Sequence, residues 1–299
     1  MRIIALFFIA FYSCSASAED GLEFIEVADG IFMFEGETDE IFASEKGMVS
    51  NVTFVIGGDA VAVIDSGSSF NQGRLIYQSI RSRTSLPIKF VINTHVHIDH
   101  IFGNRAFVAE KPQFIAHAKY PAALATRGKY YQDRLQAPWY AGSEVVPATR
   151  LIRQTETIDL GDRLLLLTAS GPAHTNHDLR VFDQQTATLI AGDLVFVEHC
   201  PVLDGSVTGW IRALTELEQI RFSTLIPGHG PVQHDKSALA KMKTYLEKLE
   251  GAVRTAIENQ MDLELASNTL LADEAGDWAL FEEFHKRNVI AAYTELEWE

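Results

Sequence analysis

The sequence predicts a layered α/β fold with a helical C-terminal region. Short apolar runs, such as Val61–Ile64 and residues 88–93, do not alternate with polar residues, which marks strands covered on both faces. Helical patterns are interleaved with these runs, beginning at residues 71–83. After Pro231 the composition shifts to helix formers with apolar residues at helical spacing.

Each element follows from local pattern. Residues 22–35 alternate loosely about a turn at Asp29-Gly30 and predict a hairpin. Residues 51–56 predict a strand, Gly57-Gly58-Asp59 turns the chain, and Val61–Ile64 predicts a buried strand ending at Asp65-Ser66-Gly67. Residues 71–83 predict an amphipathic helix with Leu75, Ile76 and Ile80 on one side. Strand 88–93 leads into a histidine cluster, and Phe114-Ile115-Ala116 is the next strand. Residues 117–147 predict helix and loop rich in aromatics. Strand character returns at 160–169, 179–182 and 188–191. Thr208 is expected to cap a helix running to about Ile220, and residues 222–226 form the last buried strand. From about residue 235, Leu239, Met242, Leu246, Leu249 and Val253 recur at helical spacing, as do Phe281, Val289, Tyr293 and Leu296 further on. These stripes predict core packing, not a cofactor site. No repeat or linker interrupts the chain, so residues 19–299 are expected to form a single domain.

The net charge is -15, from 25 Lys and Arg against 40 Asp and Glu. Phosphate backbones require clustered positive charge, so nucleic acid is not the expected partner. Arg2 precedes an unbroken apolar run over residues 3–12, and Ala16-Ser17-Ala18 supplies a cleavage motif. Residues 1–18 therefore read as a signal peptide, with a mature chain that starts near Glu19 in the periplasm or outside the cell. No second run is long enough to span a bilayer, so no stable membrane insertion is expected after cleavage. Cleavage removes Cys14 and leaves Cys200 without a disulfide partner.

The chemistry is concentrated at strand ends. Thr94-His95-Val96-His97-Ile98-Asp99-His100 holds an H-x-H-x-D-H cluster directly after a buried strand. Continued strand alternation would put His95, His97 and Asp99 on one side and turn His100 elsewhere, enough donors for two neighbouring ions. Three more candidates follow downstream: His174 in Gly171-Pro172-Ala173-His174-Thr175, Asp193 after Ala191-Gly192, and His229 in Pro227-Gly228-His229-Gly230. Each is weak alone, but the four segments together are a specific pattern.

That set resembles the metallo-β-lactamase superfamily from about Asn51 to Pro231, and Asp65-Ser66-Gly67 resembles its first motif. The resemblance implies a four-layer αββα sandwich with its site at one edge. It also implies that His95, His97 and His174 hold one metal, that Asp99, His100 and His229 hold a second, and that Asp193 bridges them. Asp99 and Asp193 are then the catalytic carboxylates. Imidazole and carboxylate donors suit two zinc ions, which bring bound water to a pKa of roughly 7 and make hydroxide available as the nucleophile. Outer partners should orient the imidazoles, and Asp65 is one candidate.

Within that superfamily, His97 stands where flavodiiron proteins carry a carboxylate, which favours zinc and hydrolysis. Asp193 resembles the bridge of glyoxalase II-like thioesterases, whereas true β-lactamases of this fold lack it. Residues 197–206, residues 284–289 and the final Glu297-Trp298-Glu299 resemble the exported quinoprotein relay system zinc metallohydrolases. The expectation is therefore a periplasmic dizinc hydrolase acting on a small molecule with an ester, thioester or related acyl bond. A periplasmic quinoprotein or cytochrome is the expected partner. The alternatives are a mononuclear iron persulfide dioxygenase and a non-enzymatic metal-dependent partner of a redox protein. Cys200 reads as a small buried residue. His117, His177, His199, His234 and His285 are not needed as ligands; His199 remains a candidate proton donor to the leaving group.

Overall fold

A computed structural model describes residues 22–135 and 137–299. The signal-peptide reading of residues 1–18, with Cys14, lies outside the described residues.

The first sheet has seven strands in chain order: β1 (Ile25–Ala28), β2 (Ile31–Phe34), β3 (Val52–Ile56), β4 (Val61–Ile64), β5 (Ile88–Ile92), β6 (Gln113–His117) and β7 (Arg150–Ile152). Pairing is antiparallel from β1 to β4 and parallel from β4 to β7. The change occurs where the crossover helix α1 (Phe70–Arg81) covers the sheet. Ser69 caps α1 by accepting from the Gln72 N–H, and Leu75, Ile76 and Ile80 are buried, as their spacing predicts. Two further helices leave this sheet, the single turn α2 (Ile98–Ile101) and α3 (Tyr120–Arg134).

The second sheet contains β8 (Thr155–Asp159), β9 (Leu164–Ala169), β10 (Leu179–Asp183), β11 (Thr188–Phe196) and β12 (Thr224–His229), with spatial order β12-β11-β10-β9-β8. Only β11 and β12 pair in parallel, across the helix α4 (Val207–Gln219). Both of these strands are buried throughout, which is why their sequences do not alternate. The C-terminal helices α5 (Ser237–Glu258), α6 (Leu263–Thr269) and α7 (Phe281–Leu296) complete the chain.

Three apolar clusters define four layers. Ile31, Val55, Ile64 and Ile92 of the first sheet meet Leu165, Val181, Ile190 and Ile226 of the second in one core. On the outer face of the first sheet, Ile76 and Ile80 of α1 pack on Val61, Val63 and Val91. Outside the second sheet, Trp210 of α4, Leu246 of α5 and Val289 of α7 form the third cluster. Each such buried side chain stabilises the fold by roughly 1.5–3 kcal/mol. The αββα order expected from the resemblance is therefore present.

Local differences have physical causes. Ser206, not Thr208, caps α4 by accepting from the Gly209 N–H, because α4 begins one residue earlier than Thr208. The run 160–169 is broken at Gly161 and Asp162, both with positive φ, which separates β8 from β9. Strands β7 and β8 carry mixed polar sequences and lack a run long enough to stand out from loop.

Candidate metal centre

All seven expected ligands converge at one edge of the sandwich. Strand β5 ends at Ile92, the chain bends at Thr94 and His95, and His97 is extended before the turn into α2. The helical turn redirects Asp99 and His100 together. The expectation from strand alternation that Asp99 shares a side with His95 and His97 is therefore corrected. His174 lies on the connection from β9 to β10, Asp193 within β11, and His229 at the end of β12. Gly228 is required here, because a Cβ at that position would collide with Asp193 Oδ1.

Two groups able to hold a metal ion occur among the described residues: His95, His97, His174 and Asp193, and Asp99, His100 and His229. In the first, His174 Nε2 lies 3.3 Å from His95 Nε2, 3.1 Å from His97 Nδ1 and 3.4 Å from Asp193 Oδ2. In the second, Asp99 Oδ2 lies 3.4 Å from both His100 Nε2 and His229 Nε2. Asp193 also faces this group, with Oδ1 3.2 Å from His100 Nε2 and Oδ2 3.4 Å from His229 Nε2.

Outer partners fix four of the five imidazoles. His100 Nδ1–H donates to Asp65 Oδ2 at 2.8 Å. The Thr94 hydroxyl donates to the same carboxylate at 2.7 Å, so its oxygen accepts from His95 Nδ1 at 3.0 Å. His174 Nδ1–H donates to the Val202 carbonyl at 2.6 Å. His97 is turned the other way, with Nε2–H donating to Asp204 Oδ2 at 2.9 Å. A carboxylate or carbonyl can only accept, so the outer nitrogens of His97, His100 and His174 carry a proton and their inner nitrogens are the ones that would face an ion. His229 instead stacks on Phe196, with ring centroids 5.0 Å apart and planes 2° from parallel.

The electrostatics fit cation binding. Burial pushes His174 down to about 4 and His95 well below the ordinary histidine range, leaving both neutral. Burial works in the same direction on His229 and His100, but the surrounding carboxylates outweigh it. Asp193 is the largest opposing charge at both, and raises His229 to about 9. The second group thus draws positive charge inward. His100 Nε2 and Asp193 Oδ1 are buried without hydrogen-bond partners although they face one another. Orphaned imidazole nitrogens and carboxylate oxygens are what zinc ligation would satisfy, so the residues fit the expected ions.

Residues 46–229 match the metallo-beta-lactamase superfamily. The chain belongs to that superfamily. Among solved members of this fold, the metallo-beta-lactamase from Pontibacter korlensis superposes with a TM-score of 0.62 at 19% identity, covering 76% of this chain and 99% of that one. The enzyme from Hirschia baltica superposes at 0.60 with 18% identity, covering 76% and 98%. Those identities establish likeness of fold. A linear primary-alkylsulfatase from Pseudomonas sp. (strain ATCC 19151) is 38% identical over 53 residues, 18% of this chain. The match spans 10% of that relative's length. Superfamily membership and the ligand-type cluster support a metal-dependent hydrolase.

Beside the cluster lies a cavity of about 180 Å³, lined by His97, Asp99, His174 and His229 on one side. Ile41 and Phe42, Phe284 and Arg287, and Tyr131 form much of the remainder. Sequence reasoning assigned no role to Arg127, Asp204 or Asn288, although the last two fall within residues 197–206 and 284–289; all three act around the ligands through long-range contacts. Cys200 is buried and outside both groups, and burial pushes its thiol up to about 12. His177 is also structural: it accepts the Val96 N–H at 3.1 Å, between two ligand histidines. Among the described residues no helix is long and apolar enough to cross a membrane.

Proposed function

We propose that this superfamily member is a periplasmic dinuclear zinc hydrolase of small-molecule ester, thioester or related acyl bonds. The observation that carries the reading is Asp193, whose carboxylate faces both ligand groups. His95, His97 and His174 would hold one ion, Asp99, His100 and His229 the other, and Asp193 both. When bound, two zinc ions supply Lewis acidity that brings water to a pKa of roughly 7 and stabilises negative charge on a reacting oxygen.

The chain's own groups complete the chemistry. Cys200 stays a thiol at neutral pH and does not act as the nucleophile. His199 lines the cavity, but its Nδ1–H is committed to the Cys200 carbonyl at 2.6 Å and burial pushes it down to about 4. Its free nitrogen is an acceptor, which argues against His199 as proton donor to the leaving group. Burial raises the phenol of Tyr131, so that side chain keeps its proton at the cavity wall. The apolar wall from Ile41, Phe42 and Phe284 can seat a compact hydrocarbon portion of the substrate and exclude water around it.

The segment at residues 1–18 supports export, and the resemblance at residues 197–206 and 284–289 supports a link to a quinoprotein system. The deciding measurement is metal content per chain after purification from the periplasm without added metal. Two zinc ions, with turnover in a panel of carboxylic, thio- and sulfate esters, are the expected result. One iron with consumption of dioxygen and a persulfide would overturn the hydrolase reading in favour of the oxygenase.

A further inference from the structure

The outer partners of two ligand histidines sit on residues 199–206, which lack helix or strand ladders. The Val202 carbonyl accepts from His174, and the Asp204 carboxylate accepts from His97. The Asp204 N–H in turn donates to the His174 carbonyl at 2.9 Å, and the Ser206 N–H to that of Ala173. An irregular segment has no repeating hydrogen bonds of its own to fix its position. Its precision has to come from what it is tied to.

Helix α7 and Ala279, two residues before it, grip this segment at three points. Ala279 donates its N–H to Glu198 at 2.7 Å and accepts from the Cys200 N–H at 2.9 Å. Asn288, fully buried, accepts the Leu203 N–H at 2.8 Å and donates to the Pro201 carbonyl at 2.6 Å. It therefore brackets Val202. Glu295 accepts from the Ser206 hydroxyl at 2.5 Å, the Val207 N–H at 2.6 Å and the Thr208 hydroxyl at 2.9 Å. Asn288 is itself fixed by donating to the Tyr245 hydroxyl of α5 at 2.9 Å, which donates to His285 Nδ1 at 2.9 Å. On the opposite side, Arg127 of α3 forks onto the Asp204 carboxylate.

Asn288 and Glu295 are seven residues apart, close to two helical turns, so they share a face of α7. Phe284, one turn before Asn288, lines the cavity. Polar side chains inside a helix packing face weaken it unless every partner is met. Here Asn288 is met by Pro201, Leu203 and Tyr245, and Glu295 by Ser206 and the first turn of α4.

We propose that Asn288 and Glu295 are positioning residues for the metal centre: α7, acting through residues 199–206, sets the orientation of His174 and His97. The inference rests on the metal reading above. Removing such an outer partner typically weakens metal affinity by roughly 10- to 100-fold. The loss should fall on the ion of the His95, His97 and His174 group, and leave the ion of the Asp99, His100 and His229 group nearly unaffected.

The test uses the full chain with zinc and cobalt, comparing wild type with Asn288→Ala, Glu295→Ala and Glu295→Gln. Chelator competition gives the affinity of each ion, and the visible spectrum of the cobalt form reports the ligand field. Asn288→Ala and Glu295→Ala should weaken one ion by roughly 10- to 100-fold and alter the cobalt spectrum. Glu295→Gln keeps one acceptor oxygen for the Ser206 and Thr208 hydroxyls but turns an amide N–H toward the Val207 N–H, and should restore part of the affinity. Tyr293→Phe is the control. It removes a hydrogen bond from the same helix to the Met261 carbonyl, a residue outside 199–206. It should lower Tm while leaving both affinities and the spectrum unchanged. Wild-type affinities and spectrum in the Asn288 and Glu295 variants, whatever their Tm, would overturn the proposal. If Asn288→Ala does not fold, Glu295→Ala decides alone. A wild-type chain that binds neither ion would overturn the metal reading and this inference together.

Discussion

Replacing Asp65 measures how much one carboxylate behind the candidate centre contributes. Asp65 accepts three buried hydrogen bonds: the Thr94 N–H at 2.8 Å, the Thr94 hydroxyl at 2.7 Å and His100 Nδ1–H at 2.8 Å. The hydroxyl can rotate away, but the other two donors cannot. Each donor left unsatisfied costs roughly 1–3 kcal/mol. Asp65 also has a φ of 58°. Alanine is strained there by about 1–2 kcal/mol, whereas asparagine tolerates that region. Asp65→Ala should therefore cost about 3–8 kcal/mol. Asp65→Asn keeps one acceptor oxygen but turns an amide N–H toward a donor, and should cost about 1–3 kcal/mol. Each kcal/mol corresponds to roughly 2–4 °C in Tm for a chain somewhat smaller than this one. Thermal and urea unfolding of the metal-free variants read the stability, and chelator competition reads the affinity of the second ion. That affinity should fall roughly 10- to 100-fold in Asp65→Asn. Equal melting of the two variants, or wild-type metal affinity in Asp65→Asn, would refute the reasoning.

Three further outcomes follow from other residues. Asp193→Ala and His97→Ala should each remove nearly all hydrolytic turnover while circular dichroism stays native; wild-type turnover in either would sink the shared-carboxylate reading. Cys200→Ser should keep its metal content, and the native Cys200 thiol, with its pKa raised to about 12, should resist iodoacetamide at pH 8 until urea is added. Rapid labelling of the Cys200 peptide in the folded chain, read by mass spectrometry, would contradict its burial. Burial raises Asp178 to about 8, against about 3.9 in an unfolded chain. Folding favours its protonated form, so its contribution is fully present below about pH 4 and is lost as pH rises through about 8. Urea titrations of the metal-free chain should show a flatter stability–pH slope over that window in Asp178→Asn, and an unchanged slope would count against the shift.

What could be read from the sequence was what local pattern encodes. Buried strands such as β4 and β12 are covered on both faces, so their apolar runs identify them directly. The cluster from His95 to His100 and His229 stand out because they are the polar residues at which such runs break off, whereas Asp193 lies inside β11 and His174 on the β9–β10 connection. The grouping of Asp99 was not legible from strand spacing, because a single helical turn replaces the alternation after His97. Neither were the outer partners. His97 meets Asp204 across 107 positions, and Leu203 meets Asn288 across 85. The partner of His174 is a backbone carbonyl, which no side-chain pattern can advertise. Long-range packing alone brings those groups together.

The chain origins of the seven residues have a mechanical consequence. His95, His97, Asp99 and His100 leave the first sheet after β5, whereas Asp193 and His229 belong to β11 and β12 of the second. Asn51, just before β3, already stitches the same rim by donating to the carbonyls of Pro227 and Gly230 at 2.9 and 2.8 Å. Any ion held there acts as a rivet driven through the rim of both layers. Its binding energy then becomes resistance to the sheets parting, worth about 4 kcal/mol at a free concentration about 1,000 times its Kd. Chelation should unfasten this rim first, with hydrogen exchange rising at the ends of β5 and β12 before the shared apolar core between the sheets opens.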